Sequence, residues 1–188
     1  MTAACGGGHA LWDMAAEPHA VVLVEGISDK IALEAVAARR RRDLAAEGVA
    51  VVPIGGAQAV RRFVGGLAPG ARGVGLCDAG EERDFRRVLD AVYVCDRDLE
   101  DELIRALTPE RVEQLLQRYG DLRSFRTLQK QSAWKGRPLG EQLRRFMGSG
   151  GRRKIRYARL LVDALDPDDV PRPLDLVLSH VSPVSSQR

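Results

Sequence analysis

Acidic residues recur at one kind of place in this 188-residue chain. Glu25 follows the apolar run Val21–Val24, Asp78 follows ARGVGLC, and the acidic stretch 96–102, which holds Asp98 and Glu100, follows AVYVC. Short apolar runs of this kind read as strands buried in a parallel sheet, and ligands of open α/β sheets gather at strand carboxyl ends. Asp29 lies four residues beyond Glu25, in the first turn of the helix expected after Gly26, where it can point back towards Glu25. Carboxylates held close together repel unless a cation or a proton separates them, so the chemistry this pattern suits is cation binding. Each residue also has a plainer explanation: Asp29 is a favourable charge at a helix N-terminus and Glu25 a polar strand end. A charged helix start accounts for one such cluster. It does not account for the same placement three times.

The elements that must position these residues follow from the apolar pattern. Strands are expected at Val21–Val24, Val49–Ile54, Ala71–Cys77 and Ala91–Cys95. The first helix is expected to be capped by Ser28, to bury Ile31, Leu33, Ala35 and Val36, and to run through Arg39–Arg42 onto a solvated face. Gly55 and Gly56 follow the second strand directly, which permits close approach to a ligand phosphate or to a neighbouring strand. From Leu103 onward the pattern is helical, with breaks at Pro109, at Gly120, in a Trp134–Pro138 connection and at Gly148–Gly151, the last a hinge or a phosphate-facing loop. A basic helix from Arg152 to about Leu165, a proline-rich turn and a closing apolar segment from Leu174 to Val181 complete the chain. The expected fold class is α/β: a mostly parallel sheet of about four strands flanked by helices, with a basic helical C-terminal extension. The expected division is an N-terminal arm at 1–17, an α/β core at 18–108 and the extension, packed on the core, at 109–188.

A hydrophobic content of 45% is enough for one sizeable core. No apolar run approaches the length of a membrane span. The N-terminus lacks a basic segment before its short apolar patch, so a secretory signal is not expected. Cys5, Cys77 and Cys95 form no CxxC pair, which points to a cytoplasmic protein without disulfides or structural zinc. Charge is segregated: residues 111–160 carry 14 Lys or Arg against 3 Asp or Glu, a net of +11, whereas residues 1–110 carry 13 against 18, a net of −5. A basic block behind an acidic half suits a polyanion bound beside a cation site. The alternative is that the arginines only solvate exposed helix faces.

With these residues in place, the chain resembles a Toprim domain, and within that group the Toprim half of the overcoming-lysogenization-defect (OLD) family nucleases. The resemblance rests on VVLVEGISDK with Glu25 and Asp29, on VVPIGGA, on the Asp78 turn, on RDLEDEL and on GSGGRRKIRYA, together spanning about Ala20 to Arg159. It implies phosphodiester hydrolysis with two divalent ions, Mg²⁺ or Mn²⁺. On that likeness Glu25 and Asp29 match carboxylates of the first ion, Asp78 the one bridging both ions, and Asp98 and Glu100 those of the second. Lys154 matches a lysine stabilising charge in the transition state, and Glu25, Asp78 and Lys154 are the implied catalytic set. Arg152, Arg153, Lys154 and Arg156 form the candidate nucleic-acid contact.

Two departures bear on the function. Toprim domains usually carry Asp-x-Asp at the third strand, and here the second position is Gly80, with Glu81 and Glu82 following out of register. The OLD enzymes also carry an ABC-type ATPase domain, whereas this sequence has no GxxxxGK[ST] loop, so an ATPase is expected from a separate protein. The first expectation is a Mg²⁺- or Mn²⁺-dependent endonuclease acting on DNA, with RNA as the second choice and no membrane partner. The alternative is a non-catalytic Toprim module that binds metal and nucleic acid within a larger complex. A nucleotidyl transferase resembling primases ranks last, for want of a zinc-binding module or a nucleotide pocket.

Overall fold

All five residues of β1 (Ala20–Val24) are fully buried, which is why its sequence is an unbroken apolar run. The computed structural model describes residues 17–182; the expected N-terminal arm, apart from Glu17, and Cys5 lie outside the described residues. β1 leads through α1 (Ile27–Arg39) to β2 (Val49–Pro53), then through α2 (Val60–Gly65) to β3 (Arg72–Asp78), and through α3 (Glu82–Arg86) to β4 (Ala91–Cys95). The strands form one parallel sheet in the order β2-β1-β3-β4. Then come α4 (Leu99–Leu107), α5 (Pro109–Arg118), α6 (Leu122–Gln129), α7 (Leu139–Gly148), α8 (Gly151–Ala164) and α9 (Arg172–His180).

The strand order fixes which helices cover which face. β1 to β2 steps one way along the sheet, and β2 to β3 and β3 to β4 step the other way. Right-handed crossovers therefore put α1 on one face and α2 and α3 on the opposite one. The buried residues divide accordingly. Val22, Val24, Val74 and Leu76 pack with α1, α4, α8 and α9 in the larger core, whereas Val21, Leu23, Cys77 and Val92 pack with Val60, Phe85 and Leu89 in the smaller. The larger core runs without interruption from the strands through Val112, Phe125, Phe146, Tyr157 and Leu178, so α5–α9 share it with the sheet. The reversal of direction falls between β1 and β3, and in a sheet of this kind the crevice at such a point is open at the strand carboxyl ends.

Two local expectations are corrected. Ser28 does not cap α1: the cap position is Gly26, and the Asp29 carboxylate accepts the Gly26 N–H at 2.7 Å. A carboxylate at the third helical position reaches back to the N–H of the cap residue, the half of a capping box that needs no hydroxyl at the cap. The Arg39–Arg42 cluster does not extend the helix, because α1 ends at Arg39 and the chain turns; Arg39, Arg40 and Arg41 are exposed as expected, yet three of the four guanidinium groups are engaged. Arg39 donates to the carbonyls of Val162 and Leu165 at the end of α8, and Arg42 donates to the Leu178 carbonyl and to Glu47. Arg40 pairs with Asp175 of α9. Guanidinium groups thus satisfy carbonyls that a helix C-terminus leaves free and tie the last helices to α1.

Candidate metal and nucleic-acid site

Glu25 and Asp78 end adjacent strands. β1 and β3 pair with Val24 opposite Leu76, and Asp78 lies opposite Cys95 of β4, so both acids and the start of α4 share one sheet edge. The Asp78 N–H donates to Glu25 Oε1 at 2.6 Å. The backbone of Glu25 is held from the other side, where its carbonyl accepts the Gly55 N–H at 3.0 Å. Gly55 and Gly56 adopt φ values of 75° and 119°, in the region that favours glycine, and a Cβ at either would meet nothing within 4 Å. The glycine pair therefore serves backbone conformation, and no close approach to β1 requires the lack of a side chain there.

The acidic stretch after β4 sorts into two groups. Asp96, Asp101 and Glu102 are engaged by Arg105, and Glu102 also accepts the Asp96 N–H. Asp98 caps α4 through the Asp101 N–H, while its other oxygen accepts Arg144 Nε at 2.5 Å. Glu100, 7% exposed, meets Lys154 Nζ at 3.3 Å. Lys154 enters on the first turn of α8, brought over the edge by the loop at Gly150.

Burial and crowding show in the proton affinities. Burial raises the Asp78 carboxyl, and the charges of Glu25, Asp29 and Asp98 raise it further, to about 8. Burial likewise raises Glu25, Asp29 and Glu100, against the pull of the Asp78 N–H, the Gly26 N–H and Lys154 respectively. Lys154 is lowered by burial but raised more by Glu100, Asp29 and Asp78, and it stays charged. Two like charges about 4 Å apart repel by ~4 kcal/mol at an effective dielectric of about 20, more than the roughly 1 kcal/mol a typical hydrogen bond returns. Fully ionised, this edge calls for more positive charge than Lys154 and Arg144 bring.

The donor set is all oxygen. Burial pushes the Cys77 thiol up to about 12 and Cys95 higher still, so neither presents a thiolate at neutral pH. Carboxylate oxygens without imidazole or thiolate suit Mg²⁺ or Mn²⁺ rather than zinc or copper. Among the described residues no three His, Cys, Asp or Glu side chains already surround a single point. Four of the five carboxylates are instead turned to a donor of their own, Asp29 to Gly26, Glu25 to the Asp78 N–H, Asp98 to Arg144 and Glu100 to Lys154.

Of the basic residues picked out in the sequence, Lys154 reaches the carboxylate edge. Arg153 stacks over Phe146 at 4.0 Å and donates to the Phe146 carbonyl and Ser149. Arg156 donates to Asp121 and to the Tyr119 carbonyl, and Asp121 also accepts the Tyr157 hydroxyl at 2.7 Å. Arg152 is exposed. A groove of about 410 Å³ opens beside Asp98, Glu100 and Lys154, lined in addition by Arg97, Trp134, Arg137, Arg144 and Arg145. Sequence reasoning passed over these last five; the interleaving of Trp134 with Lys135 and Arg137 was the one signal present.

Comparison with known proteins agrees with this architecture. Residues 19–68 match the family model described as overcoming lysogenization defect protein-like, TOPRIM domain. The fold is similar to the C-terminal region of the Burkholderia pseudomallei OLD protein, at a TM-score of 0.63 and 17% identity over 87% of this chain and 97% of that one. It is also similar to the C-terminal region of the Xanthomonas campestris pv. campestris OLD protein, at a TM-score of 0.65 and 20% identity over 87% and 92% of the two chains. No curated protein matches. The chain thus carries an OLD-like Toprim segment in the fold of OLD C-terminal regions.

Proposed function

We propose that this OLD-like Toprim fold is a divalent-cation-dependent phosphodiester hydrolase acting on nucleic acid, with DNA the first substrate to test. The observation that carries the reading is the gathering of Glu25, Asp29, Asp78, Asp98 and Glu100 at one sheet edge, with burial raising four of them. Glu25, Asp29 and Asp78 would hold a first Mg²⁺ or Mn²⁺, and Asp78, Asp98 and Glu100 a second, once Glu25, Asp29, Asp98 and Glu100 have exchanged their present donors. When bound, such ions supply a nucleophile at neutral pH and offset the charge of the phosphate undergoing attack.

The side chains of the edge have their own work in this scheme. The Asp78 N–H keeps Glu25 extended along the edge, and the buried Glu100 aims Lys154 at it. The Lys154 side chain is 36% exposed, and its ammonium would meet a phosphate oxygen and offset charge developing in the transition state. Arg144 fixes the orientation of Asp98. An ABC-type ATPase in trans belongs to the same proposal.

The non-catalytic reading has its own support, because Gly80 supplies no side chain and Asp98 and Glu100 are engaged by Arg144 and Lys154. Incubating the purified protein with supercoiled plasmid and Mn²⁺ separates the two. Nicking or linearisation that disappears in Glu25→Gln and Asp78→Asn supports hydrolysis. Mn²⁺ binding by calorimetry without cleavage leaves the binding module.

A further inference from the structure

The groove beside Lys154 has a composition that the carboxylate edge does not require. Its wall carries Trp134, half-buried, with the exposed Arg137 and Arg145 guanidinium groups 5.8 Å and 6.0 Å from the indole ring. Arg97, Arg144 and Lys154 extend the positive lining to the carboxylates. The platform is braced from beneath. The Trp134 carbonyl accepts both the Arg137 N–H and Gln142 Nε2, and Gln142, 5% exposed, also accepts Gln129 Nε2 at 2.6 Å. A hydrogen-bonded glutamine under a surface turn thus holds the Trp134 backbone in place beside the groove.

We infer that this groove seats a single-stranded polynucleotide, with a base against Trp134 and its phosphates on Arg137, Arg145 and Lys154. The inference rests on the reading of nucleic acid at this edge, and not on cleavage. Flat aromatic and guanidinium surfaces among positive charges bind unstacked bases without regard to sequence. A base inside a duplex has both faces covered by its neighbours and offers none to an indole. A volume of about 410 Å³ is that of a small-ligand pocket, enough for a nucleotide or two and too small to enclose a double helix. Asp98, Glu100 and Lys154 are part of the groove's lining, so a strand lying in it lies beside the carboxylate edge.

The test titrates a dozen-nucleotide oligothymidine into the full chain in EDTA, reading Trp134 emission in a Trp12→Phe background. Quenching is expected, with the matching duplex binding about tenfold or more weakly. Read by the anisotropy of a fluorescein-labelled strand, because the Trp134 variants carry no tryptophan in this background, Arg145→Glu and Trp134→Leu should each weaken the single strand by about tenfold, and Trp134→Phe should hold within a few-fold, since a smaller ring still stacks. Circular dichroism checks each fold, and if Trp134→Leu does not fold, Arg145→Glu and Trp134→Phe decide. Equal affinity for duplex, binding without a change in emission, or an unaffected Arg145→Glu would each overturn the groove assignment. Cleavage in Mn²⁺ is measured separately. Groove-dependent binding without cleavage removes the hydrolase and keeps the groove, whereas cleavage indifferent to Arg145 and Trp134 removes the groove alone.

Discussion

The main-chain N–H of Asp78 donates to Glu25 Oε1 at 2.6 Å, so the end of β3 holds the side chain that ends β1. Because the donor is backbone, Asp78→Asn preserves this bond while removing a carboxyl that burial and its neighbours push up to about 8, and which therefore has to take up a proton when the chain folds at neutral pH. Relief of that burial and protonation cost should raise the melting temperature in EDTA at neutral pH by about 2–4 °C for each kcal/mol relieved in a chain of this size. The same change should abolish the stabilisation that Mn²⁺ confers on the wild type, which follows from binding to the folded state alone. Thermal unfolding of both proteins with EDTA and with Mn²⁺ checks this. A drop in melting temperature for Asp78→Asn in EDTA would mean that charge crowding does not burden the edge.

Lys154 separates catalysis from binding. Its ammonium sits 3.3 Å from Glu100, a side chain almost entirely buried, so its position is set by the protein rather than by substrate. Lys154→Ala should lower plasmid cleavage by ~10²-fold, the usual scale for one preorganised donor to a transition state. Affinity for the oligonucleotide should change only a few-fold, because one phosphate contact among several is lost. Equal losses in single-turnover cleavage and in binding would make Lys154 an ordinary phosphate ligand.

Arg153 and Arg156 should affect stability before affinity. Arg156 and the buried Tyr157 both bond Asp121, and Arg153 closes the turn between α7 and α8 over Phe146. Replacing Arg152, Arg153 and Arg156 together by Ala should cost about 1–2 kcal/mol in urea unfolding, from partly exposed charged bonds. Binding of single strands should remain within a few-fold of wild type. A large affinity loss at unchanged stability would return these residues to the nucleic-acid surface.

What the sequence disclosed, and what it did not, follows from the range of each interaction. β1, buried on both faces, wrote an unbroken apolar run, and strand ends followed by carboxylates marked Glu25, Asp78 and the start of α4. The sorting of residues 96–102 was not legible, because it depends on Arg144 arriving from α7 and Lys154 from α8. Arg39 and Arg42 looked like a solvated run, since the carbonyls they satisfy lie more than a hundred residues away in the chain. Trp134 and Arg145 become neighbours only once the Gln142 network folds the α6–α7 connection back on itself. No periodicity in the chain records that meeting.

The break at Gly80 gives the sharpest prediction. Gly80 lies in the tight turn after β3, its φ is not in the positive region, and a Cβ there would meet nothing within 4 Å. Gly80→Asp should therefore fold as well as the wild type and place a carboxylate one turn from Asp78. Of the two glutamates that follow, Glu82 is taken up by Arg86 at 2.6 Å, an exposed helical pair worth about 0.5 kcal/mol at most. Glu81 is near enough that its charge raises Glu25, so Glu81 is the side chain placed to make up for the glycine. Mn²⁺ calorimetry of the wild type should resolve one tighter and one much weaker site, since the second ion would rely on Asp78, Asp98, Glu100 and water. Gly80→Asp should strengthen the weaker site about tenfold and raise cleavage, Glu81→Gln should weaken it, and Glu82→Gln should do neither. Two equal sites in the wild type that become unequal in Glu81→Gln would show Glu81 already filling the role of the missing aspartate. Two equal sites that survive Glu81→Gln would end this account of Gly80.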